Sequence, residues 1–163
     1  MKIGFEVTLS RFKYSTVGLD IDPDKTVFAS GREINCSTKH SREICKQIKG
    51  MLVDDAKTYL ENVIDMKKSV PFKRYNKKIG HRSDLVGWDT GRYPVKAAGK
   101  ILDVLNNLEK NAENKGLEVD RLYIFHSATQ RGRKIKRIFA RAFGSSSPKV
   151  NTLTHIELAA EEV

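Results

Sequence analysis

Acid is what this chain withholds. No Asp or Glu occurs from Arg121 to Ile156. Cysteine is nearly missing too: Cys36 and Cys45 are the only two, so a disulfide-stapled scaffold is excluded and a reduced pair is expected. Cys36, His40 and Cys45 lack zinc-finger spacing, and no second Cys or His pair follows at the right interval, which predicts no metal site. No apolar run approaches the roughly 18 residues that span a bilayer. The start, Met1-Lys2-Ile3-Gly4-Phe5-Glu6, has no apolar signal core before a small-residue cleavage site. The expectation is an intracellular, soluble protein with no membrane partner.

Catalytic patterns are missing as well. His40, His81, His126 and His155 fall in no H-E-x-x-H or H-x-E arrangement. There is no Gly-rich phosphate loop and no Gly-x-Ser-x-Gly elbow. The one carboxylate cluster, Asp20, Asp22 and Asp24, fails as a calcium loop, because its sixth position is Lys25 and its twelfth is Gly31. His126 and His155 are expected to face each other across paired strands in a structural role, since a catalytic pair needs an orienting third group and a cleft. The sequence predicts a non-enzymatic protein without cofactor.

What is present is positive charge. The 163 residues carry a formal net charge of +10 and a sequence pI of about 9.6, the usual flag for a nucleic-acid binder. The stretch 120–158 concentrates it. Leu122-Tyr123-Ile124-Phe125-His126-Ser127-Ala128 and Leu153-Thr154-His155-Ile156-Glu157-Leu158 read as strands. Between them lie Arg131, Arg133, Lys134, Lys136, Arg137, Arg141 and Lys149. A loose loop of this length is uncommon in a compact domain, so one long hairpin is expected, with Gly144-Ser145-Ser146-Ser147-Pro148 as the turn near its tip. Arg137, Phe139, Arg141 and Phe143 fall on one side of an extended chain. Neither side carries a full apolar face, so this arm needs a polyanion to order it.

The rest of the chain reads in sequence. Residues 1–24 form an extended tail, with a short strand possible at residues 5–9. Residues 25–163 form one α+β domain, and Thr26-Val27-Phe28-Ala29-Ser30 begin it as a strand. A helix capped by Ser37 or Thr38 runs to about Lys49, with Gly50 as its left-handed stop. It buries Ser41, Ile44, Cys45 and Ile48 and shows a basic stripe of Lys39, Arg42, Lys46 and Lys49. A second helix follows from Val53, Ala56, Leu60, Val63 and Ile64. Residues 66–92 form an irregular basic insert, where Phe72, Tyr75 and Trp88 interleave with Lys73, Arg74, Lys77 and Arg82. Rings and cations together suit RNA, although Phe72 and above all Trp88 also suit a core. Pro94 opens a third helix, apolar at Val95, Ala98, Ile101, Leu102, Leu105, Leu108 and Ala112, and Gly116 follows its end. The sum is α+β: a small antiparallel sheet packed by three helices, with a long protruding hairpin.

Several segments carry a resemblance. They are Val70-Pro71-Phe72-Lys73-Arg74-Tyr75-Asn76, Gly80-His81-Arg82 and Gly87-Trp88-Asp89-Thr90-Gly91-Arg92-Tyr93-Pro94, with Ile48-Lys49-Gly50, Asn111-Ala112-Glu113 and Arg141-Ala142-Phe143-Gly144. In this order and spacing the chain resembles the universal large-subunit ribosomal protein L twenty-two family in its archaeal type, from near Arg32 to Leu158. The resemblance implies a small α+β domain on the outside of the large subunit, whose hairpin penetrates the rRNA and lines the nascent-chain tunnel. It implies rRNA contact at Arg131, Arg133, Lys134, Lys136, Arg137 and Arg141, and next at Lys39, Arg42, Lys73, Arg74, Lys77 and Arg82. It places Phe143, Gly144, Ser145, Ser146, Ser147 and Pro148 at the tunnel. The implied partners are large-subunit rRNA, neighbouring ribosomal proteins and the nascent polypeptide, with the protein a cytoplasmic monomer within the ribosome. The family often has Arg after the tip glycine, where this chain has Ser145, so its tip carries less charge.

Overall fold

The computed structural model describes residues 14–16, 18 and 21–163. The strand expected at residues 5–9 and the carboxylate of Asp20 lie outside the described residues. In order, the elements are β1 (Thr26–Ile34), α1 (Thr38–Ile48), α2 (Val53–Ile64), short β2 (Val70–Pro71) and β3 (Gly91–Arg92), α3 (Val95–Lys115), β4 (Leu122–Ala140) and β5 (Ser146–Glu162). The main sheet is antiparallel in the order β1-β5-β4, and β2 pairs with β3 alone.

The helices form where apolar residues recur at helical spacing. α1 buries Ser41, Glu43, Ile44, Cys45 and Ile48; α2 buries Val53, Ala56, Tyr59, Leu60 and Val63; α3 buries Ala97, Ala98, Ile101, Val104, Leu105, Leu108 and Ala112. α3 packs on α2 and β1, and α1 packs on β4. Together they cover Leu122, Ile124, Ile156, Leu158 and Ala160 at the base of the sheet. Each large apolar side chain so buried contributes about 1.5–3 kcal/mol. Gly50 and Gly116 end α1 and α3 at φ +93° and +79°, where a Cβ would be strained.

The start of α1 differs from expectation. Ser37 is the N-cap but makes no side-chain cap bond. Its neighbour Thr38 turns its hydroxyl across to Thr154, 2.8 Å away on β5. The basic insert is better ordered than its sequence suggests, and the ring that enters the core is Phe72, 1% exposed. Trp88 is only half-buried, and its indole N–H donates to the Phe72 carbonyl at 3.1 Å. The bulkier ring therefore staples the insert from outside because its N–H needs an acceptor.

The hairpin register also corrects two expectations. His126 pairs with Ala159, and His155 pairs with Gln130. The two histidines do not meet. Bulges between Ile124 and His126 and between Arg131 and Lys134 shift the pairing, as an extra unpaired residue must. His155 instead accepts the Glu33 backbone N–H on Nδ1 at 3.1 Å. The tip turn is earlier than Gly144-Ser145-Ser146-Ser147-Pro148: Ala140 pairs with Ser146 and Ile138 with Pro148, so Ser146, Ser147 and Pro148 lie on the returning strand. Arg141 N–H donates to the Ser145 carbonyl at 2.8 Å, and Ser145 N–H to Ala142 at 3.3 Å, closing the turn around Phe143 and Gly144.

Described tail residues meet the far face of β5 through Ser15. Glu157 is fully buried. Its carboxylate accepts the Ser15 N–H at 2.9 Å, the Ser15 hydroxyl at 2.6 Å and the Gln130 amide at 2.9 Å. The Tyr14 ring lies 5.0 Å from that of Phe28.

Candidate nucleic-acid interface

The hairpin divides in two. At its base the strands belong to the core, and beyond Gly132 nearly every residue is exposed. β4 alone has 19 residues, or roughly 60 Å at about 3.3 Å per residue. Ile138 is 77% exposed, Phe139 50% and Phe143 106%. Phe143 also sits at φ 56°, ψ 36°, a left-handed conformation unfavourable for an aromatic residue by roughly 1–2 kcal/mol. The fold thus spends strain to display a bare ring at the end of the arm.

The arm conflicts with itself electrostatically. Arg137 stands directly opposite Lys149 in the register, a like-charge pair that opposes strand association. Lys149 finds partial relief over the Phe139 ring, 4.8 Å from its centroid. Arg141 donates from Nε to the Ser147 hydroxyl at 2.8 Å. Among the described residues, none of the cations expected to bind RNA closes an ion pair with a carboxylate. All of them are exposed.

The fold brings part of this set together. A groove of about 890 Å³ runs between the hairpin and the starts of α1 and α3. Lys39 enters it from α1, and Arg131, Lys134 and Lys136 from β4. Lys96, in the first turn of α3, completes it. Nothing in the sequence singled out Lys96, since one lysine beside mixed helical charges reads as solvated. Arg42 is exposed on α1 but outside the groove, and Arg133, Arg137 and Arg141 lie along the arm.

The insert presents the remaining candidates, and a buried acid holds it in place. Glu43, 2% exposed, lies on the inner face of α1. Its carboxylate accepts the backbone N–H groups of Lys73 at 3.1 Å and of Arg74 and Tyr75 at 3.0 Å each. Three donors compensate a buried charge that would otherwise be costly. On the other limb, Asp84 accepts the Ser69 N–H at 2.7 Å and its hydroxyl at 3.0 Å; the Ser69 N–H bond is the main reason its carboxyl is held below the usual range. Arg82 stacks over the Tyr93 ring at 4.8 Å. Arg74, Lys77 and Lys39 line a second, smaller cleft with Arg92, while Lys73 faces a separate hollow beside Trp88.

Two of the partly buried histidines, His40 and His126, have their titration shifted the same way. Burial, then the Arg92 charge, lowers the pKa of His40. Burial lowers that of His126, with Glu157 opposing and Lys49 reinforcing the shift. Burial raises the Cys45 thiol to about 12, which leaves it inert as a nucleophile. Among the described residues, no group of three or more His, Cys, Asp or Glu is placed to hold a metal ion, and no helix is long and apolar enough to cross a membrane.

Chemically, a bare cationic arm on a small α+β body suits the binding of a long polyanion. The chain belongs to the family described as ribosomal protein L22p/L17e, whose model matches residues 29–161. It is 46% identical to the large ribosomal subunit protein uL22 of Methanocaldococcus jannaschii over 156 residues, covering 96% of this chain and 98% of the relative. To the uL22 of Methanosphaera stadtmanae it is 51% identical over 139 residues, 85% and 90% of the two chains. To that of Archaeoglobus fulgidus it is 49% identical over 140 residues, 86% and 90%.

Proposed function

We propose that this protein is a structural constituent of the large ribosomal subunit, binding large-subunit rRNA and lining the nascent polypeptide exit tunnel with its basic hairpin. The observation that carries this reading is the arm itself. It leaves the core, keeps its cations free of described carboxylate partners and sets Arg137 against Lys149. Such an internal conflict is resolved when phosphates neutralise both sides.

In this reading Arg131, Arg133, Lys134, Lys136, Arg137 and Arg141 touch rRNA along the arm. Lys39 joins them across the groove, Arg42 contacts it from α1, and Lys73, Arg74, Lys77 and Arg82 contact it from the insert. Phe143 and Gly144, at the turn, stand nearest the nascent chain, with Ser145 to Pro148 leading back from it. The protein supplies no catalysis and needs no cofactor. It works as a cytoplasmic monomer among neighbouring large-subunit proteins, its buried body fixing the direction in which the arm enters the RNA.

The test is in-cell ultraviolet crosslinking followed by sequencing of the recovered RNA. Crosslinks from residues 131–149 are expected to concentrate on large-subunit rRNA around the exit tunnel. Crosslinks spread over messenger or transfer RNA, with little rRNA, would overturn the assignment.

A further inference from the structure

The second cleft, between α1 and the insert, is chemically unlike the groove and the arm. It has a volume of about 340 Å³, at the small end of the range for small-molecule sites, about 300–1,000 Å³. That is too narrow for a duplex and of a size for one planar ring with its sugar. Three rings line it: His40, Phe72 and Tyr75. Phe72 is buried and locked in place, with the His40 ring against it edge-on at 5.3 Å and 72°. Tyr75 is half-buried, so part of its ring remains open to the cleft.

Cations surround these rings. Lys39 Nζ stands 5.6 Å and the Arg74 guanidinium 5.8 Å from the centre of the Tyr75 ring. Lys77 and Arg92 complete the rim. Arg92 is steadied by donating to the Lys78 carbonyl at 3.3 Å. Among the described residues, no carboxylate lines the cleft. The one nearby acid, Glu43, is occupied by the Lys73, Arg74 and Tyr75 N–H groups, so it positions the aromatic wall without offering negative charge to a ligand.

We infer that this cleft receives one unstacked RNA nucleotide, its base lying against Tyr75 and its flanking phosphates held by Lys39 and Arg74. Rings that accept a base face, with cations at the distance of the adjoining phosphates, are how single-stranded RNA is held. The His40 ring lines the cleft edge-on to Phe72 and turns polar nitrogens toward a base edge, and the Asn76 amide offers both a donor and an acceptor. Lys39 lines both the groove and this cleft. A strand following the groove along the hairpin therefore reaches the cleft without leaving positive surface. The inference rests on the rRNA-binding reading above and adds to it a place where a base, rather than backbone, is recognised.

The experiment measures binding of the full-length protein to transcribed large-subunit rRNA across a salt series, with base-specific chemical probing of the RNA. Three variants are compared: Tyr75→Leu, which keeps apolar packing and removes the aromatic face, Tyr75→Phe, which keeps the face, and Arg131→Ala in the groove. Tyr75→Leu is expected to weaken binding at least about fivefold at every salt concentration, as loss of one stacked base does. Its dependence on salt should not change, because no phosphate contact is removed. Tyr75→Phe should bind as the parent does. Probing should show an unpaired base protected by the parent and by Tyr75→Phe and reactive with Tyr75→Leu. Arg131→Ala should flatten the salt dependence by about one unit of log–log slope. Parent-like binding by Tyr75→Leu beside a flattened slope for Arg131→Ala would overturn the cleft assignment and leave the rRNA reading standing. Salt-insensitive binding by the parent would overturn both.

Discussion

Glu43→Gln is the sharpest probe of how the insert is held. The glutamate receives three backbone N–H bonds at 3.0–3.1 Å from residues 73–75, two on one oxygen and one on the other. Glutamine has nearly the same shape but one acceptor oxygen. If that oxygen keeps Arg74 and Tyr75, two charge-assisted bonds become neutral, a loss of roughly 1 kcal/mol each. The Lys73 N–H then faces an amide N–H and goes unsatisfied, which costs a further 1–3 kcal/mol or so. The dry-site total is roughly 3–5 kcal/mol. Lys73 and Arg74 are exposed, so a small outward shift lets water replace part of the loss. We expect a net destabilisation of about 2 kcal/mol, a fall in Tm of about 4–8 °C for a chain of this size. Hydrogen exchange at Lys73, Arg74 and Tyr75 should quicken before exchange at α3. A Tm within about 1 °C of the parent, with exchange at those amides unchanged, would refute the reasoning.

A Cβ at Gly91 would lie 2.7 Å from Leu85, 3.1 Å from the Ser69 hydroxyl and 3.1 Å from the Val70 carbonyl; Gly91→Ala should part β2 from β3 and cost about 1–3 kcal/mol in urea unfolding. Ile138→Ser and Phe143→Ser remove exposed side chains, so stability of the free protein should change by less than about 0.5 kcal/mol, while incorporation into large subunits, read by sucrose-gradient sedimentation, should fall. Burial lowers the pKa of both His40 and His126 below 6.5, so the unfolded chain takes up protons first as pH falls. Their contribution to stability is complete above about pH 6.5 and declines toward the lower folded values; thermal melts should show this decline, and it should be blunted in His40→Gln/His126→Gln.

Much of this architecture is legible in the sequence, because its helices and strands obey simple spacing. The α3 stripe through Ala98, Ile101, Leu105, Leu108 and Ala112 is buried as its period dictates, and the acid-free stretch after Arg121 marks the arm before any coordinates exist. The exceptions share a cause: each depends on a contact distant in sequence. Glu43 lies among charged helical positions, and its partners are 30 to 32 residues away. Glu157 is buried by a tail residue 142 positions earlier. Phe72 enters the core as expected, but Trp88 stays half-buried because its indole N–H donates to the Phe72 carbonyl. The His126–His155 pairing fails because the turn centre and two bulges, none of them encoded by alternation, set the register. The interface shows the same division. Arm cations are visible as composition, whereas Lys96 and Arg92 become candidates only when folding sets them beside Lys39.

The sheet order has a consequence for how the molecule comes into being. β5 is the last strand along the chain and the middle one in space. Among the described residues, β1 hydrogen-bonds to no other strand than β5. During synthesis, helices α1, α2 and α3 can coil and begin to cluster, yet both outer strands must wait with unsatisfied edges until residues 146–162 emerge and slide between them. Folding of the body is therefore a concerted event that couples β1 to a strand far from it in sequence, and pairing over such long separations is slow. Until it happens, the arm has no fixed base to project from. In the rRNA-binding reading, a nascent molecule that meets RNA early would hold it with a loose basic ribbon, and only a finished one would insert a directed probe.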